Sequence, residues 1–163
     1  MAFIGVSAFS AGSPGPSAAA FNAMAWSAVI HGASGVIYFP VRFSPAFSFD
    51  ATPPDVVAAI RTFDYQVANL EAVLMDGARG GRRPFKLYRS SNPRAPSPNG
   101  QLPYPFEAAA IPTPQGTCRI ILNLSGQNQM LNKPAWKLNN AAFRPYEVRI
   151  GYTTTAGELC MRR

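Results

Sequence analysis

An α/β segment followed by an all-β segment is the fold class predicted by this 163-residue sequence. Three observations lead there. Short unbroken apolar runs alternate with stretches of helical period as far as residue 80. After Gly81 the composition turns to Pro, Asn and Ser around short β-prone runs. The charge turns with it: residues 1–78 carry two basic and five acidic side chains, net −3, and residues 79–163 carry thirteen and three, net +10. The expected organisation is therefore strand, helix, strand, helix over 1–80 and an antiparallel β module over 81–163.

The run Phe-Ile-Gly-Val-Ser-Ala-Phe from Phe3 to Phe9, closed by the turn-rich residues 11–16, predicts a strand buried on both faces. From Ser17 the period changes. Phe21, Met24, Ala25, Ala28 and Val29 recur at helical spacing, Ser17 follows Pro16 as a natural cap, and the helix ends near Gly32. Gly35-Val-Ile-Tyr-Phe39 gives a second apolar strand, stopped by Pro40. Strand, helix, strand implies a parallel pair with a right-handed crossover.

Residues 40–51, broken by aromatic residues and prolines, form a loop at the carboxyl end of that second strand. Thr52-Pro-Pro-Asp55 then supplies a cap hydroxyl, proline in the first turn and an acid three residues on. One long helix is expected from there. Val56, Ile60, Phe63, Val67, Leu70 and Leu74 make a single stripe, and Gly77 supplies its C-cap. In the second half, Phe85–Arg89, Phe106–Ile111, Cys118–Leu124 and Tyr146–Thr154 read as antiparallel strands, with 90–105 as a surface loop.

Composition narrows the function classes. At 47% apolar the chain is ordinary globular material, and no stretch approaches the roughly 20 consecutive apolar residues of a membrane span. Met1 to Ser10 has no basic n-region of the secretory kind, so the compartment stays open. Two cysteines and one histidine are too few for a zinc site. A disulfide between Cys118 and Cys160 and a pair of buried thiols both fit. The basic residues are spread over loops and strands, with one cluster at Arg79-Gly-Gly-Arg-Arg83. No aromatic cluster accompanies them, which argues against specific nucleic-acid recognition.

Ala25-Trp-Ser-Ala-Val-Ile-His-Gly-Ala-Ser-Gly-Val-Ile-Tyr-Phe39 resembles the segment that joins the seventh helix to the eighth strand in TIM-barrel glycoside hydrolases of the β-galactosidase and cellulase kind. Gly32, Ala33 and Gly35 let such a helix turn tightly and re-enter the sheet. The Thr52–Asp55 helix start and Asn69-Leu-Glu-Ala-Val-Leu74 look like that family's eighth helix. Cys118-Arg-Ile-Ile-Leu-Asn-Leu-Ser125 is similar to a strand of its C-terminal β-sandwich, and Phe143-Arg-Pro-Tyr-Glu-Val-Arg149 resembles the last strand.

The resemblance implies a partial (β/α)8 barrel of two βα units plus a small antiparallel β-sandwich-like module, from a protein that acts on carbohydrate. It implies no cofactor, metal or membrane contact. The missing partner is the N-terminal part of the barrel, or a second copy of the chain as half-barrels can use. Retaining hydrolysis needs two carboxylates about 5 Å apart, at the ends of the fourth and seventh strands. The candidate seventh strand holds Gly5 or Val6 at that position, and the fourth is not in this chain, so no catalytic residue is assigned.

Substrate contact falls instead to Tyr38 and Phe39, whose rings end the second strand where barrel sites gather, and to His31 at the end of the first helix. Each has a plainer role: one ring in the core, one on a helix, and an imidazole capping carbonyls. Trp26 reads as core or interface, and Asp55 as a helix-start charge. Glu107 and Glu147 have no acidic neighbour in sequence and make no pair. The alternative is a non-catalytic binding or assembly module whose basic β half meets an anionic glycan or nucleic acid, with steep salt dependence.

Overall fold

A computed structural model of the chain describes residues 1–10, 12–49, 51–79, 86–88, 102–113, 116–153 and 159–160. Asp50, the basic run 80–83 and residues 90–101 of the expected loop lie outside the described residues. The chain divides into two compact units, Met1–Ala68 and Asn69–Arg163. The sequence sets its boundary at the change of composition, twelve residues later. Helix and strand are mixed, and among the described residues no sheet closes into a barrel.

In the first unit β1 (Ala2–Gly5), α1 (Ala18–Ile30), β2 (Val36–Phe39) and α2 (Pro54–Asn69) follow in order. β1 and β2 pair in parallel, Ala2 opposite Val36 through Gly5 opposite Phe39. Ser17 caps α1 by accepting a hydrogen bond from the Ala20 N–H. The helix ends in a Schellman motif: Gly32 at φ +81 lets its own N–H reach the Val29 carbonyl and the Ala33 N–H reach that of Ala28.

The buried residues of α1 are Phe21, Ala23, Ala25, Trp26, Val29 and Ile30, so Trp26 sits at the centre of the inward face and Met24 is exposed. The Trp26 and Phe63 rings meet edge to face at 5.3 Å, which joins α1 to α2. Phe21 touches both Phe63 and Tyr38.

Two expectations fail here. β1 is four residues long, and it is not buried on both faces: Ile4 is 4% exposed while Phe3 is 73% exposed. The long helix is two helices. α2 stops at Asn69, and α3 (Glu71–Arg79) starts after Leu70 with Gly77 inside it rather than capping it. Of the expected stripe only Val56 and Phe63 are buried; Val67, Leu70 and Leu74 are half-buried and give a continuous helix too little to hold onto.

In the second unit β3 (Lys86–Tyr88), β4 (Phe106–Thr113), β5 (Gly116–Asn123), β6 (Gln129–Lys133), β7 (Leu138–Phe143), β8 (Val148–Thr153) and β9 (Leu159–Cys160) follow α3. Five of them make one antiparallel sheet in the order β3-β4-β5-β8-β9, and α3 packs against β4. The β6–β7 hairpin, bridged by a single 3-10 turn at Pro134–Trp136, shares a core with that sheet. Leu102, Phe106, Ile121, Leu131, Trp136, Leu138 and Phe143 fill it.

Asn123 is fully buried, and every polar atom of its side chain is used: its amide donates to the Gln127 and Arg144 carbonyls, and its carbonyl accepts from the Ser125 N–H. The segment Phe143–Arg149 is not one strand. β7 ends at Phe143, a turn through Tyr146 at φ +55 reverses the chain, and β8 begins at Val148. The register also decides between disulfide and thiols. Tyr152 is paired with Cys118 on one side and Cys160 on the other. With strands about 4.8 Å apart, the two cysteine Cα atoms are about 9.5 Å apart, beyond the roughly 7 Å a disulfide tolerates.

Candidate functional site

Strand alternation sorts the β1–β2 pair into two unlike faces. Ile4 and Tyr38 turn to the helices, and the Tyr38 ring lies 5.8 Å from that of Phe21. Phe3 and Ile37, opposite one another, and Gly5 and Phe39, likewise paired, turn the other way, where Phe3, Ile37 and Phe39 are exposed. Parallel strands are normally covered on both faces. This pair is covered on one.

At the carboxyl end of the pair the bare face widens into a cluster of phenylalanines. Phe9 lies 6.4 Å from Phe39 and 6.3 Å from Phe43, and Phe43 lies 6.4 Å from Phe39. Phe43 reaches Phe47 at 5.9 Å, and Phe47 reaches Phe49 at 5.0 Å, edge to face. Gly5 makes the first contact feasible: a Cβ there would come within 3.2 Å of the Phe9 ring.

The backbone beneath is fixed by its own bonds. The buried Ser7 hydroxyl donates to the Val41 carbonyl at 3.0 Å, the Phe43 N–H donates to Phe9 at 2.8 Å, and Arg42 and Ser48 exchange two bonds of 2.9 Å. The cluster is thus held on a small closed loop rather than on a free strand end.

The expected site residues part company. Phe39 joins the cluster. Tyr38, its neighbour in sequence, is on the opposite face, where its hydroxyl donates to Asp64 of α2; a contact shared with Phe39 is ruled out by alternation. Burial, then the bond to Asp64 and its charge, push the Tyr38 phenol above its ordinary range. His31 is exposed at the C-cap of α1, next to the start of β2, and roughly 10 Å of strand separates that end from Phe39. The structure does not bring it to the cluster.

The place where the resemblance expects a nucleophile is the end of β1. There Phe9 covers Gly5, and Val6 is buried. The phenylalanines of the bare face carry no acid, base or nucleophile; they can stack on a ligand and exclude water. In the second unit Glu147 is committed to Arg149 at 2.9 Å and to the Arg144 N–H at 2.6 Å. Desolvation raises its pKa, but these bonds and the two arginine charges outweigh it and leave the carboxyl below its usual range.

The sequence reading takes Phe39 alone from this face, with Phe9 at the end of the first strand and Phe43, Phe47 and Phe49 in the loop 40–51. The signal was present as four phenylalanines between positions 39 and 49. In comparisons with known proteins, the chain matches no family model, no curated protein and no solved structure. No helix among the described residues is long and apolar enough to cross a membrane.

Proposed function

We propose that the chain is the C-terminal portion of a glycoside-hydrolase-like protein acting on carbohydrate, contributing the last two βα units of a (β/α)8 barrel and a β module, and that it is not catalytic alone. One observation carries this reading: α1 and α2 both lie on the Tyr38 side of the β1–β2 pair. A doubly wound sheet takes helices on both faces. A barrel takes them on the outside only and fills its inside with layers of apolar side chains, and Phe3, Ile37 and Phe39 suit such a layer.

The alternative, a basic module for an anionic polymer, has less support. Arg119 and Lys133 lie over the Trp136 ring at 5.2 and 5.9 Å, and Arg149 over Phe143 at 4.0 Å, so these charges serve their own fold. The test is to read the coding sequence upstream of Met1 and to assay the 163-residue chain on aryl glycosides. Six further βα units in frame and no turnover are expected. An unrelated domain upstream, or hydrolysis by this chain, overturns the reading.

A further inference from the structure

We infer that the bare face of the β1–β2 pair is a self-complementary interface, covered by a second copy of this chain when the chain is on its own. The inference rests on the same unfilled face as the barrel reading but is independent of its carbohydrate chemistry. Phe3, Phe9, Phe39, Phe43, Phe47 and Phe49 are between 39 and 73% exposed, and Met1 and Ile37 extend the face at the strand end. At the roughly 200 Å² that a phenylalanine can bury, the exposed part amounts to about 900 Å² with Met1 and Ile37 included.

Two magnitudes decide what such a surface is for. Isolated proteins rarely leave more than about 300–600 Å² of contiguous apolar patch uncovered. A standard stable interface buries about 800 Å² from each partner. The face exceeds the first and matches the second.

Its chemistry selects the occupant. None of these eight side chains is ionisable, polar or able to bond a sugar hydroxyl. A two-fold interface brings the same patch against itself, which an apolar patch satisfies without complementary charge. An anionic lipid surface fits less well, because residues 1–78 carry net charge −3. The Arg42–Ser48 bridge holds Phe43 and Phe47 on a closed loop, so little ordering is needed on association.

Light scattering on the eluting chain at tens of micromolar tests this. A mass of twice 17.5 kDa is expected for the natural sequence. The double variant Phe43→Ser/Phe47→Ser, changed only at exposed positions, is expected at 17.5 kDa with unchanged far-UV circular dichroism and a dissociation constant raised at least tenfold. Phe3→Ser, at the other end of the face, gives a second variant with the same expectation. A natural chain of 17.5 kDa overturns the inference, as does a polydisperse aggregate, or a double variant that stays dimeric. Binding of a monomeric chain to phosphatidylglycerol vesicles would assign the face to lipid instead. Loss of the dimer leaves the upstream coding sequence to decide the barrel reading separately.

Discussion

The two units solve the problem of burying a sheet in opposite ways. In Asn69–Arg163 the central strand β5 has Cys118, Ile120, Ile121 and Leu122 within 1% of complete burial, so both faces of the sheet are covered. In Met1–Ala68 the helix-facing side is as well packed, with Phe21, Trp26, Ile30 and Val56 at 0% exposure, yet the other side shows Phe3, Ile37 and Phe39 to solvent. In the antiparallel unit a hairpin from its own sequence lies over one face of the sheet, and α3 packs against β4. The parallel pair is left bare on one face, because its only crossover helix and the helix after it occupy the same side. Topology, more than composition, therefore separates a sheet whose central strand is buried on both faces from a strand pair with one face exposed.

Substitutions sharpen this contrast, the largest effect first. Phe143→Ala removes a ring that meets Phe106 at 5.1 Å, and it should cost the β unit about 3–5 kcal/mol in urea unfolding. The same truncation at Phe47, exposed in the other unit, should change the stability of the monomer by less than about 0.5 kcal/mol. Equal losses at the two positions would break the comparison. Asn123→Ala strands the Ser125 N–H and two carbonyls, and it should cost about 2–3 kcal/mol, again read as a shifted urea midpoint.

Tyr38→Phe acts at the well-packed side of the first unit. It loses one hydrogen bond to Asp64, about 1 kcal/mol at neutral pH. Because the folded phenol titrates above its ordinary value, the natural tyrosine favours folding fully below about pH 10 and loses that contribution as the pH rises further. Alkaline unfolding followed by tryptophan fluorescence should therefore be steeper for the natural chain than for Tyr38→Phe. Glu147→Gln is expected to be the mildest change. Its carboxyl titrates low in the fold, so it stabilises above the unfolded value near pH 4 and loses that as the pH falls through the folded one. The half-buried ion pair is worth about 1 kcal/mol, seen as a flatter acid-unfolding curve.

Much of the fold was legible where period and punctuation agreed. α1 lies within one or two residues of its expected ends, since Ser17 and Gly32 act where their chemistry says they should. The Thr52–Asp55 signal likewise opens α2. The β6–β7 hairpin was not legible, because Gln129–Lys133 and Leu138–Phe143 are rich in Asn and lack clean alternation; Leu131, Leu138, Phe143 and the intervening Trp136 hold it by tertiary packing. The helix break at Leu70 was hidden for the converse reason, as the apolar stripe runs on across it. At the site, a short strand told which residues alternate but not which face would be covered. Tyr38 and Phe39 could be separated only once the helices were seen to share one side.

Native-state hydrogen exchange at two protein concentrations tests the central claim most directly. In dilute solution the amides of Cys118 to Leu122 should be protected to the level of global unfolding, while those of Ala2 to Gly5 and Val36 to Phe39 exchange faster and gain protection as concentration rises. A dilute chain that protects β1 and β2 as strongly as β5, with no dependence on concentration, would contradict it.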